Sequence, residues 1–155
     1  MEPAHLFGIS IEAVTAISNC IMALGALLIF LQIRQSKLQA KTEFEDGLNS
    51  EYRRIIHAIP ARALLGKTLP KKQMNQCLDE LLSYIDLCNE QAFLRQQNRI
   101  RSDTWHFWAD GMKSNFSRPA FRQAWQIITT KLPSDFNELR RLDESDFQDD
   151  PATWN

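Results

Sequence analysis

At 155 residues and a net charge of −1, the chain has room for one membrane-length helix plus a domain of roughly 110 residues. That balance argues against a dedicated nucleic-acid binder, whose footprint is strongly basic. Three cysteines, Cys20, Cys77 and Cys88, form no even set and no CxxC pair, which argues against a disulfide framework and for reduced thiols in a cytosolic domain.

Residues 1–12, opening MEPAHLFGIS, lack the basic start of a signal peptide, and no small-residue cleavage site follows the apolar run that comes after them. The apolar run behind them is therefore expected to stay as an anchor. That run, Ala13 to Ile33 (AVTAISNCIMALGALLIFLQI), holds 21 residues without a charged side chain, about 30 Å of α-helix, the thickness of a bilayer's hydrocarbon core. At 100° per residue, Val14, Ile17, Ile21, Leu24, Leu28 and Leu31 share one wholly apolar face. The opposite face carries Glu12, Thr15, Asn19, Met22 and Ala26. An amide such as Asn19 inside hydrocarbon requires another helix or water, and Ala16, Ala23, Gly25 and Ala26 would let helices approach closely. Two readings stand: a monomeric anchor that tolerates a few polar residues, or a self-associating helix with its polar stripe on a partner or a pore. In a pore, a ring of Glu12 favours cations and Met22 offers a hydrophobic constriction. Arg34, Lys37 and Lys41 follow the run while Glu2 and Glu12 precede it. The positive-inside rule therefore puts the N-terminus outside and residues 34–142 in the cytoplasm.

From Arg34 to Lys72 there are nine Lys/Arg against four Asp/Glu. After the anchor no proline interrupts the chain before Pro60. Phe44, Leu48, Tyr52, Ile55, Ile56 and Ile59 recur at three- and four-residue spacing, so the anchor helix is expected to continue as one rod. Pro60 and Pro70 bracket a short connection. A second long helix is predicted from Lys71 to Gln97, with Met74, Cys77, Leu78, Leu81, Leu82, Ile85, Cys88 and Ala92 as its apolar stripe. Ser102 or Asp103 should cap a third helix bearing Trp105, Trp108, Met112 and Phe116. Ser117 and Pro119 should open a fourth, which carries Phe121, Trp125 and Ile128 and stops before Pro133. Phe136, Leu139 and Leu142 suit a last short helix. The tail, 143–155, has five acids between Asp143 and Asp150 and no base there, and is expected to be partly disordered. The fold class is all-α: a transmembrane helix continuing into a cytoplasmic helical bundle.

Phosphate-loop, dinucleotide, zinc-protease and serine-hydrolase motifs are missing from the sequence. His5, His57 and His106 are scattered, so no metal or cofactor is implied. Asp79 with Glu80 and Asp86 with Glu90 read as a solvated helix face. The suggestive pattern is RSDTWH, Arg101 to His106.

Arg-x4-His resembles the signature of HEPN domains, small helical bundles found across bacterial defence systems. The resemblance implies a metal-free RNase in which His106 takes a proton from a ribose 2′-hydroxyl and Arg101 steadies the phosphate, across a dimer. Ser102 stands where active members place Asn, Asp or His. On that reading Arg95, Arg99 and Arg101, with the nearby tryptophans, would present RNA with charge and stacking surfaces. The other reading is structural, with His106 packed between Trp105 and Phe107 and hydrogen-bonded within the bundle. Arg101 would then pair with a carboxylate, the nearby acids being Asp103, Asp110 and Glu90. Unpaired burial of either group is costly.

The whole layout resembles small CRISPR-associated membrane proteins encoded beside an RNA-guided RNA nuclease. The stretch DTWHFWADGMKSNFSRPAFRQAWQII also resembles a wider group of single-pass bacterial proteins. The first resemblance implies a homo-oligomeric, pore-forming defence effector in the bacterial cytoplasmic membrane that compromises the membrane of the infected cell. A membrane scaffold that recruits a cytosolic partner is a further alternative.

Overall fold

The computed structural model describes residues 5, 6 and 9–154, with side chains from residue 11 onward; the expectation for residues 1–12 falls in part outside them. A two-residue antiparallel pair, β1 (His5–Leu6) with β2 (Ile9–Ser10), precedes an all-helical chain. The helices are α1 (Ile11–Ala58), α2 (Ala61–Leu64), α3 (Lys71–Gln76), α4 (Leu78–Gln96), α5 (Ser102–Phe116), α6 (Pro119–Lys131) and α7 (Asn137–Glu144). A 3-10 turn, Pro151–Thr153, follows. Contacts divide the chain into two units, Met1–Thr42 and Glu43–Asn155.

The first unit holds the membrane-length part of α1. The helix runs without a break through Gly47 to Ala58, as the lack of proline predicts. Its most apolar 18-residue window has a mean hydropathy of 2.2 and buries nothing. By length and composition this helix is long and apolar enough to cross a membrane. Exposure is not confined to one side: Ile17, Ile21, Leu24 and Phe30 are all open.

In the second unit α4 is the central element, touched by α3, α6, α7 and the 3-10 turn. Its predicted stripe is buried at Met74, Cys77, Leu81, Ile85, Cys88 and Ala92, with Leu78 and Leu82 half-buried against it. Tyr84, Leu87, Gln91, Leu94 and Arg95 are buried as well. A helix packed on more than one side hides more than one stripe. Aromatic rings fill the space beside it: Tyr84 meets Phe121 edge-on at 5.2 Å, and Phe116 meets Trp125 edge-on at 5.7 Å, the arrangement that ring quadrupoles prefer.

Three expectations are corrected. The helix predicted over Lys71–Gln97 is interrupted at Cys77, where φ is −115° and ψ is 15°. The Cys77 N–H is shared between the Gln73 and Met74 carbonyls, a tightened turn, and Leu81 N–H still bonds to the Cys77 carbonyl. The cap of α5 comes neither from Ser102 nor from Asp103. The residue at that position is Arg101, in extended conformation with no capping bond from its own side chain. Lastly, the acidic tail is packed: Phe147, Pro151 and Trp154 are buried. Asp150 accepts a hydrogen bond from the Ala152 N–H, which starts the 3-10 turn.

Candidate functional site

The Arg101–His106 motif opens α5. Its helical phase decides where each side chain goes. Trp105, Trp108, Ala109 and Met112 recur at the helical period and are buried, which sends His106 and Phe107 outward. His106 is exposed, and this corrects the packed-histidine reading. Its Nδ1 lies 2.5 Å from the Ser102 carbonyl oxygen and 3.4 Å from the Ser102 hydroxyl. A carbonyl only accepts, so Nδ1 is the donor in this contact.

Arg101 pairs with a carboxylate, as the structural reading expects, but the main partner is Glu45 on α1. Its Nε donates to Glu45 Oε2 at 2.8 Å, Nη2 stands 2.7 Å from the same oxygen, and the Arg101 backbone N–H donates to Oε1 at 2.7 Å. Thr104 Oγ1 also donates to Oε2, at 2.9 Å. Asp103 is 4.0 Å from Arg101 Nε. Glu45, only 2% exposed, therefore caps the start of α5 from another helix, supplying the acceptor that helix N-termini require. Its neighbours Asn49 and Tyr52 lie on the same side of α1, and Asn49 Oδ1 accepts from Trp108 Nε1 at 2.9 Å. The signal in the sequence was the 45–49–52 spacing beside the apolar Leu48 and Ile55.

A second buried pair joins the tail to the centre. Arg95 Nε and Nη2 donate to the two oxygens of Asp150 at 2.7 and 2.6 Å, and Nη1 donates to the Ile100 carbonyl at 2.8 Å. Arg99 lies 4.5 Å over the ring of Phe44. Arg95 and Arg101 are thus held by carboxylates, Arg99 is exposed over Phe44, and the rings of Trp105, Trp108, Trp125 and Trp154 are covered within this chain. Arg101 and His106 share no hydrogen bond or ion pair among the described residues; one is held by Glu45 and the other by its own helix turn.

The ionisation of these groups follows from the contacts. Burial pushes the Glu45 carboxyl up, but hydrogen bonds from the Arg101 side chain, the Arg101 N–H and Thr104 together outweigh it and hold it below its ordinary 4.5. The hydrogen bonds from Arg95 likewise hold Asp150 below 3.8. A carboxylate with a depressed folded-state pKa adds stability that is fully present above its unfolded value and lost as pH falls through the folded one. The thermal midpoint should therefore fall as the medium is acidified below pH 4.5. Glu45→Gln should show a shallower fall over that window than the wild type. Parallel curves for the two proteins would contradict the assignment.

No group of three or more potential metal-ligating side chains exists among the described residues. The polar stripe of α1 is described in full. Glu12, Thr15, Asn19, Met22 and Ala26 are exposed, and Thr15 Oγ1 donates to the Ile11 carbonyl at 2.9 Å. The Asn19 side chain makes no hydrogen bond among the described residues. No protein-family model, curated protein or solved structure matches the chain.

Proposed function

We propose that the protein is a membrane-anchored effector of bacterial antiviral defence that assembles as a homo-oligomer through α1. The polar stripe of Glu12, Thr15, Asn19, Met22 and Ala26 turns toward the other copies and lines a pore. The N-terminus lies outside the cytoplasmic membrane, and the HEPN-like bundle lies in the cytoplasm near an RNA-guided RNA nuclease partner. The observation that carries the assembly is Asn19. Thr15 satisfies its own hydroxyl within the helix, whereas the Asn19 amide has no partner among the described residues. In hydrocarbon an unpaired amide costs several kcal/mol, so its partner must be a second chain or a water column. The defence role and the nuclease partner are supported by the resemblance of the layout.

The test is the mass of the purified full chain in mild detergent, followed by ion flux from liposomes with and without a candidate nuclease. The wild type should be oligomeric at micromolar concentration and should release ions. Asn19→Leu should weaken self-association about three- to tenfold, the range of one interhelical hydrogen bond in a membrane. It should also change conductance. A monomeric wild type ends the assembly reading, and an oligomer without flux ends the pore. RNA cleavage lost in His106→Ala would favour an RNase instead.

A further inference from the structure

A cavity of about 420 Å³ opens among α1, α4 and α5 within the second unit, a volume typical of small-molecule sites. Tyr52, Tyr84, Phe107, Trp108 and Met112 supply most of its wall. Gly111 contributes no side chain, and a Cβ built there would meet nothing within 4 Å.

Two hydrogen-bonded pairs border this space. Trp108 Nε1 donates to Asn49, and the Tyr84 hydroxyl accepts from Asn115 Nδ2 at 2.8 Å. Gln91 is a third polar group on the lining. It is only 4% exposed; its amide makes no hydrogen bond among the described residues and is not one of the polar groups shut off from solvent, so it is available to a ligand. A glutamine amide presents an acceptor and a donor side by side. The one charged residue on the lining is Asp110, and no lysine or arginine lines it, so an anionic ligand would meet repulsion and no cation.

We propose that this cavity binds an uncharged, planar aromatic heterocycle with adjacent donor and acceptor atoms, the chemistry of a purine nucleoside, read by the Gln91 amide. Aromatic walls accept the flat face of a base, since stacking asks only for a π-surface. Glutamine pairs in bidentate fashion with the N6 and N7 edge of adenine. Asp110 at the same cavity accepts from hydroxyl groups on an attached sugar.

The experiment is saturation binding of adenosine to the purified full chain, followed by ligand NMR, with indole as a probe of similar shape that lacks the paired edge. Adenosine should saturate one site per chain. Gln91→Leu, close to the same volume, should weaken adenosine at least tenfold and leave indole binding unchanged. Gly111→Phe, which fills the cavity, should remove both ligands while the circular dichroism spectrum is preserved. If Gln91→Leu fails to fold, Gln91→Glu replaces it, because the carboxylate keeps the shape but removes the donor. Absence of saturation in the wild type would overturn the proposal. So would equal adenosine affinity in the Gln91 variant, or tighter binding of adenosine monophosphate than of adenosine.

Discussion

A chain ending at Gln148 is expected to lose the fold of its helical unit at ordinary temperature, although the segment removed looks like a dispensable acidic tail. The truncation takes away Asp150 and leaves Arg95, whose side chain is 10% exposed, as a charge inside the protein without its carboxylate. Breaking such a pair from one side costs about 3–5 kcal/mol, because the remaining charge stays desolvated. It also removes Trp154, 7% exposed and stacked under Arg141 at 4.5 Å. Loss of a buried tryptophan side chain costs about 3–5 kcal/mol. The sum approaches the whole stability of a typical domain, about 5–15 kcal/mol. Thermal unfolding followed by circular dichroism checks it. Asp150→Asn should lose part of the effect and Trp154→Ala another part, and a truncated chain melting within a few degrees of the wild type would refute the account.

The second large effect is expected at Glu45. Glu45→Ala strips three donors at once: the Arg101 guanidinium, the Arg101 N–H and the Thr104 hydroxyl. A lost helix cap and an unpaired buried donor each cost about 1–2 kcal/mol, so the variant should be destabilised by about 2–4 kcal/mol. Arg101→Ala should also destabilise the protein, because it leaves the enclosed Glu45 carboxylate with two neutral donors and no cation. Denaturant midpoints check both, and a Glu45→Ala midpoint at the wild-type value would refute the cap. His106→Ala in the same series should leave the midpoint nearly unchanged, since the ring is exposed and bonded only within its own turn.

The parts of the fold that follow from local pattern were legible. The long α1, the start of α6 at Pro119 and its stop before Pro133, and the burial of Trp105, Trp108, Leu139 and Leu142 all follow from spacing and prolines. Distant pairings were not. Sequence proximity offered Asp103, Asp110 and Glu90 to Arg101, while the acceptor that completes α5 lies 56 residues upstream. The tail reads as disordered because its composition is acidic, but Phe147, Pro151 and Trp154 anchor it. Backbone distortion was equally hidden: nothing in the apolar stripe of α4 marks Cys77 as a break, since Met74, Cys77 and Leu81 keep helical spacing across it. Phe136 and Phe147 adopt left-handed conformations, with φ near 60°, that no propensity favours for phenylalanine.

The placement of the thiols has a practical side. Cys77 and Cys88 are buried while Cys20 is exposed on the apolar part of α1. Burial raises the Cys77 pKa and pushes that of Cys88 up to about 12. Alkylating reagents and disulfide exchange act through the thiolate, which neither buried group forms in quantity at neutral pH. The folded helical unit therefore offers such reagents no thiol, and labelling at Cys77 or Cys88 reports its unfolding.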